Sequence, residues 1–209
     1  MESTAPDWLA MSEEEFQEAF RPKGNPTAAY LHRVLIRALG RAVVVPPEPA
    51  LKSKPLLLEL RSPLPPYLRF YVHGATQHSS ERQTGTYKVQ LTNGVTRDGR
   101  RATKNDDRAF FDRSDGFLPV LIGYNSDWNL FILWDADLHD AGRGFSYSKS
   151  AQAPQDVVLD ALVHGIGRAT RRLRSRVDES IVAARPEYLA EALSLRIDLS
   201  NRAMCEGLF

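Results

Sequence analysis

The chain has 209 residues, 43% of them hydrophobic, enough to bury a sizeable core, which excludes a wholly disordered protein. Lys and Arg total 27 against 26 Asp and Glu, a net +1, so bulk charge steers the chain to neither nucleic acid nor membrane. A lone cysteine, Cys205, excludes a disulfide framework and a cysteine-rich zinc site, and no apolar run approaches the roughly 18 residues of a membrane span.

The opening stretch, MESTAPDWLAMSEEE, is acidic and lacks the basic-then-apolar order of a signal peptide, so a soluble cytoplasmic protein is expected. Ser12 and Glu15 form a capping box for a first helix, SEEEFQEAF. A second helix is expected from the Asn25-Pro26 pair to Gly40, with Ala28, Leu31, Leu35 and Leu39 at helical spacing. Pro46, Pro47, Pro49 and Pro55 then mark residues 45–55 as a linker, separating an N-terminal helical unit (1–45) from a second unit (56–209).

From residue 56 the period changes to that of strands: LLLEL (56–60), YLRFYVHG (67–74), TYKVQLT (86–92), FLPVLIGY (117–124) and NLFILWDA (129–136). Asn125-Ser126-Asp127-Trp128 reads as a hairpin turn between the last two. FSYSKSAQ (145–152) is a further extended piece, followed by a helix from Gln155 to Leu173, a strand SIVAARP (180–186) and a helix EYLAEALSLRIDL. The expected class is α+β: a mostly antiparallel, strongly bent sheet or half-barrel, with flanking helices and the N-terminal helical unit.

Polar residues interrupt these strands in a patterned way. Alternation puts Tyr87, Val89 and Leu91 on one face and Lys88, Gln90 and Thr92 on the other. That polar face is either a solvated sheet surface or a binding surface, since glutamine pairs donor with acceptor and lysine contacts phosphate. Ser146, Ser148, Ser150 and Gln152 form a second polar stripe, with Tyr147 and Lys149 opposite; an edge strand or a nucleic-acid groove would look like this. Asp135, Asp137 and His139 fall on one side if the strand stays extended, as a metal site, a solvated strand end or a hydrogen-bond network.

Basic residues are 21 Arg to 6 Lys, a bias that a GC-rich genome would also produce. Arg97, Arg100, Arg101, Lys104, Arg108 and Arg113 read as a long mobile loop, and Arg168, Arg171, Arg172, Arg174 and Arg176 as a basic helix end or a phosphate grip. The five histidines, His32, His73, His78, His139 and His164, lack His–Asn–His nuclease spacing, and no Gly-x-Ser-x-Gly elbow, Walker loop or dinucleotide fingerprint occurs. A restriction-type nuclease core needs an acid, a Glu or Gln, and a lysine two residues on, around magnesium. Asp135 and Gln152 stand 17 residues apart, but Pro154 occupies the lysine position, so Lys149 would have to substitute.

Tyr87-Lys88-Val89-Gln90, then LIGYNSDWNLFILWDADLH with Asp135 and His139, then FSYSKSAQ and AARPEYLAEAL with Arg185-Pro186, stand in the order of a known pattern. The segment from about 67 to 190 resembles a methylase-associated domain family of bacterial restriction systems, found beside DNA methyltransferases or ahead of HNH nuclease domains. That family usually has an acidic residue before the tyrosine; here it is Thr86. The resemblance implies DNA recognition in a restriction–modification or defence system, of a specific or modified sequence. The alternatives are the restriction endonuclease itself, dependent on magnesium held by Asp135 (candidates Asp135, Gln152, Lys149), and a protein-interaction module. Otherwise no cofactor is expected. The expected DNA-binding residues are Tyr87, Lys88, Gln90, Asp135, His139, Ser146, Ser148, Gln152 and Arg185, with Arg100 and Arg101 from the basic loop. The expected partners are double-stranded DNA and an associated methyltransferase or nuclease. A palindromic target would make a two-fold dimer natural.

Overall fold

The computed structural model describes residues 6–44, 48–77, 85–140, 143–147 and 149–206. The first helix, α1 (Glu13–Phe20), starts with the expected capping box: Ser12 Oγ accepts the Glu15 N–H, and the Glu15 carboxylate accepts the Ser12 N–H. Helix α2 (Ala28–Leu39) is capped not by Asn25 but by Thr27, whose hydroxyl accepts the Tyr30 N–H at 3.2 Å. It ends at Gly40 in the left-handed φ range. A short strand β1 (Val43–Val44) follows, then a 3-10 turn at Glu48–Lys52 that buries Leu51, so part of the expected linker has regular structure.

Seven strands form the main sheet: β1, β2 (Leu56–Leu60), β3 (Tyr67–Gly74), β6 (Leu118–Asn125), β7 (Leu130–Trp134), β10 (Asp178–Ala184) and β9 (Ile166–Arg172), in that spatial order. Among described strands, the pairing is antiparallel except between β3 and β6. The sheet does not close. After Gly74 the chain bends through Ala75 and enters a second sheet of β4 (Thr76–Gln77), β5 (Tyr87–Leu91) and β8 (Lys149–Ala153). This mixed, mostly antiparallel α+β architecture is the expected class. The β6–β7 turn falls where the sequence places it, with Asn125 Oδ1 accepting the Trp128 N–H at 2.9 Å.

Each face of the main sheet carries its own core. On one, Leu58, Phe70, Val72, Ile122 and Leu133 pack with Leu31 and Leu35 of α2 and with Leu189 and Leu193 of α5 (Leu189–Cys205). The N-terminal helices thus share a core with the sheet. On the other, Tyr71, Leu121, Ile132, Trp134 and Ile181 pack beneath Val89 and Leu91 of β5 and Val157 and Ala161 of α4 (Gln155–His164). No helix among the described residues is long and apolar enough to cross a membrane.

The largest departure from expectation lies after α4. The helix expected to reach Leu173 stops at His164, and 166–172 is strand β9, paired along its length with β10. Gly165 makes the break, with φ +90°, and Gly167 lets the strand lie against the helix: a Cβ there would sit 2.2 Å from the Val157 carbonyl oxygen. The arginines of this stretch therefore decorate a β-hairpin, and Arg172 pairs with Asp178 at 3.0 Å.

Two predictions follow from this packing. Gly165→Ala forces the left-handed conformation on a residue with a Cβ, which would meet the Tyr188 ring at 2.5 Å; urea denaturation should record a loss of about 1–3 kcal/mol. Second, His32 is fully buried on α2, its Nδ1 2.8 Å from the Leu51 carbonyl oxygen, and burial lowers its pKa from 6.5 to about 4. Above pH 6.5 both folded and unfolded chains leave it neutral; as pH falls from 6.5 toward 4 the unfolded chain takes up a proton the fold refuses. Stability should fall through that window, and His32→Gln should flatten this part of the pH profile.

Candidate functional site

The small sheet is two-faced. Inward, Tyr87, Val89 and Leu91 of β5 and Ala151 and Ala153 of β8 are buried. Outward, directly opposed residues share a face, so the register Thr76↔Lys88, Lys88↔Gln152 and Gln90↔Ser150 assembles Thr76, Lys88, Gln90, Ser150 and Gln152 on one surface. The two polar stripes seen in the sequence are thereby neighbours. Trp134 Nε1 donates to the Gln152 carbonyl at 2.9 Å and fixes the backbone from below. Arg171 of β9 holds Gln152 from the side, donating to its carbonyl at 2.9 Å and to its amide oxygen at 2.7 Å. Between the end of β3 and β5 the same face opens into a recess lined by His73, Gly74, Thr76, Lys88, Gln90 and Thr92.

Other expected site residues lie elsewhere. Tyr87 is inside the core, where burial raises its pKa. The strand does not stay extended past Trp134; Ala136–Asp140 is one helical turn, α3, so Asp135, Asp137 and His139 do not share a strand face. Asp135 is 1% exposed: Oδ1 accepts the Leu138 N–H, and Oδ2 accepts from Arg196 and from Ser200 Oγ, each at 2.8 Å. Of the expected roles for this group, a hydrogen-bond network is the one these contacts describe. His139 Nε2 lies 3.0 Å from Glu179 Oε1, both buried, and Glu179 Oε1 also accepts the Asp135 N–H at 3.2 Å.

Lys149 points inward, opposite to Gln152, and donates to the His139 carbonyl at 3.0 Å; burial lowers its pKa. Asp135, Gln152 and Lys149 therefore face different ways. Among the described residues no group of three or more His, Cys, Asp or Glu is placed to hold a metal ion. Ser146 is exposed ahead of β8, while Ser148 lies outside the described residues. Arg185 follows β10 at the end of the main sheet, paired with Glu187 at 3.1 Å and set over the Tyr188 ring.

The basic loop is pinned rather than loose, because Val95 and Phe110 exchange backbone hydrogen bonds and Ala109 does the same with Phe145. Within it Arg100 pairs with Asp106 at 2.6 Å, and this guanidinium with Thr103 holds the Asp106 carboxyl well below its usual range. Arg101 is exposed. Sequence reading put Arg171 in a basic helix end rather than against Gln152, and missed Glu179 and Arg196. For Glu179 a cue exists: alternation in DESIVAA sets it on the face of Ile181 and Ala183, a carboxylate at an inward position.

A family model described as Methylase-associated X1 matches residues 66–193, more than half of the chain. The chain belongs to this family. Comparison with curated proteins and with solved structures gave no match. The Methylase-associated X1 region runs from β3 into α5, and so contains the whole small sheet, Arg171 and Asp135, while Arg196 lies three residues past its end. Membership suggests a role alongside restriction–modification.

The Asp135 pair makes a stability prediction. Asp135→Ala leaves the Arg196 guanidinium buried without its carboxylate, and should cost about 3–5 kcal/mol by urea denaturation, more than a surface pair would. Ser200→Ala, which keeps the ion pair, should cost far less.

Proposed function

We propose that this Methylase-associated X1 protein recognises double-stranded DNA for a restriction–modification system through the outward face of its small sheet, while an associated methyltransferase or nuclease supplies the chemistry. The observation that carries this reading is the in-register set Lys88–Gln152 and Gln90–Ser150, with Gln152 clamped by Arg171. A merely solvated face has no need for an arginine that orders a glutamine from a neighbouring sheet, because ordering long side chains costs conformational entropy. A preorganised face avoids that cost at the moment of binding. A two-stranded β-ribbon fits the major groove, glutamine has the donor–acceptor pair that matches adenine, and Lys88 has the charge for phosphate. The endonuclease reading is the weaker one, since both oxygens of Asp135 are engaged, by Leu138, Arg196 and Ser200, and Lys149 faces away from Gln152.

Fluorescence anisotropy against a panel of duplexes, methylated and unmethylated, tests this. Binding should weaken steeply with salt, and Lys88→Ala should weaken all sequences alike and lower the log–log salt slope by about 1. Gln90→Ala and Gln152→Ala should instead relax sequence preference, by roughly 1–3 kcal/mol where the contact is bidentate. No binding to any duplex at low salt would end this reading in favour of a protein-interaction module.

A further inference from the structure

His73 stands near the end of β3 with 7% of its surface exposed, and its Nε2 has no hydrogen-bond partner among the described residues. A buried polar atom left unpaired is costly, and such atoms in native folds call for a ligand, a water or a function. His73 forms part of the wall of the recess between β3 and β5, a cavity of about 390 Å³. Its other lining side chains are Thr76, Lys88, Gln90 and Thr92, with the Gly74 backbone. This lining can donate hydrogen bonds from two hydroxyls, an amide, an ammonium and an imidazole, and it contains no carboxylate and no phenyl, phenol or indole ring.

One more cation, the Lys54 ammonium, lies within electrostatic reach of His73. Burial first, and the Lys54 charge second, lower the His73 pKa to about 4, so the imidazole is neutral at pH 7 and carries one ring N–H. Positive charge is thus gathered around a cavity whose polar groups are able to donate. A flipped base would need rings to stack between, and a metal cation would meet an ammonium; a tetrahedral oxyanion matches both the charge and the donors.

We propose that this recess seats a phosphate group, with Lys88 supplying charge and His73 Nε2, Thr76 Oγ1 and Thr92 Oγ1 donating to its oxygens. The proposal deepens the DNA-recognition reading, on which the source of the phosphate rests: a backbone phosphate of the duplex, anchoring the register in which Gln90 and Gln152 meet the bases. Free phosphate offers the same chemistry, so both are tested.

The experiment follows the His73 ring nitrogens of the full-length protein by long-range proton–nitrogen NMR, titrating duplex DNA in one arm and inorganic phosphate in the other. Saturable movement of the Nε2 resonance with DNA is the expected result. His73→Phe, which keeps a ring and removes the donor, should weaken duplex binding about tenfold for all sequences alike while preserving preference; the paired variant Thr76→Val/Thr92→Val should do the same. If DNA binds with sequence preference while the His73 nitrogens stay unmoved in both arms, the phosphate site is wrong and the DNA reading stands. If inorganic phosphate moves them and no duplex binds, the site stands and the DNA reading falls. If neither probe moves them and no duplex binds, both fall.

Discussion

All five residues of β7 are buried, so neither face of the main sheet can be left to water. An antiparallel sheet commonly solvates one face, but here Phe131 and Leu133 project into one core and Leu130, Ile132 and Trp134 into the other. Helices α2 and α5 cover the first face. The second is covered by α4 and by a second sheet, which the chain reaches by bending β3 through Ala75 into β4. That choice of cover has a consequence for function. A strand that turns Tyr87, Val89 and Leu91 inward must turn Lys88 and Gln90 outward, because the side-chain period is two. The polar face is thus the reverse side of a core-covering layer.

Where β7 ends, apolar cover gives way to buried charge. Asp135 meets Arg196 and Ser200 of α5, and His139 meets Glu179 of β10, while Lys149 of β8 reaches the His139 carbonyl. Burying such groups carries a desolvation cost that their mutual attraction offsets only when geometry is good, so their value to the fold lies in orientation more than in net stability. Each contact joins a different pair of elements. Together they index α5, β10, β8 and the α3 turn to the end of one strand, and the small sheet takes its position from that corner.

Local pattern made β2, β3, β5, β6 and β7 legible in the sequence, as short runs rich in β-branched, leucine and aromatic residues, and alternation added the outward stripes of 87–91 and 149–152. It failed at two places for identifiable reasons. IGRATRR follows α4 without a polar break, and alanine and arginine are good helix formers, so β9 reads as more helix; the cue is the pair Gly165 and Gly167 bracketing Ile166. At 135–139 the same residues fit an extended strand or a helical turn, and the deciding fact is Asp135 accepting the Leu138 N–H, a cap contact. The site was half visible. Its face could be read from alternation, but Arg171 reaches Gln152 from 19 residues away in sequence, through a sheet pairing that local pattern does not encode. His73 was hidden differently, inside a strand buried along most of its length, where no polar periodicity sets it apart.

The family match begins at residue 66, just before β3, and leaves α1, α2, β1 and β2 outside it. In this chain those elements are not an appendage. Leu31 and Leu35 of α2 close over Phe70 and Val72 of β3, and β2 completes the backbone pairing on the edge that β3 would otherwise expose. Removing them would open a hydrophobic sheet face and an unpaired strand edge together, the combination that invites aggregation. The matched region therefore contains the candidate recognition face but not all the cover that the sheet behind it requires. What precedes residue 66 supplies that cover, and through β3 it supports the His73 end of the recess and the turn into β4.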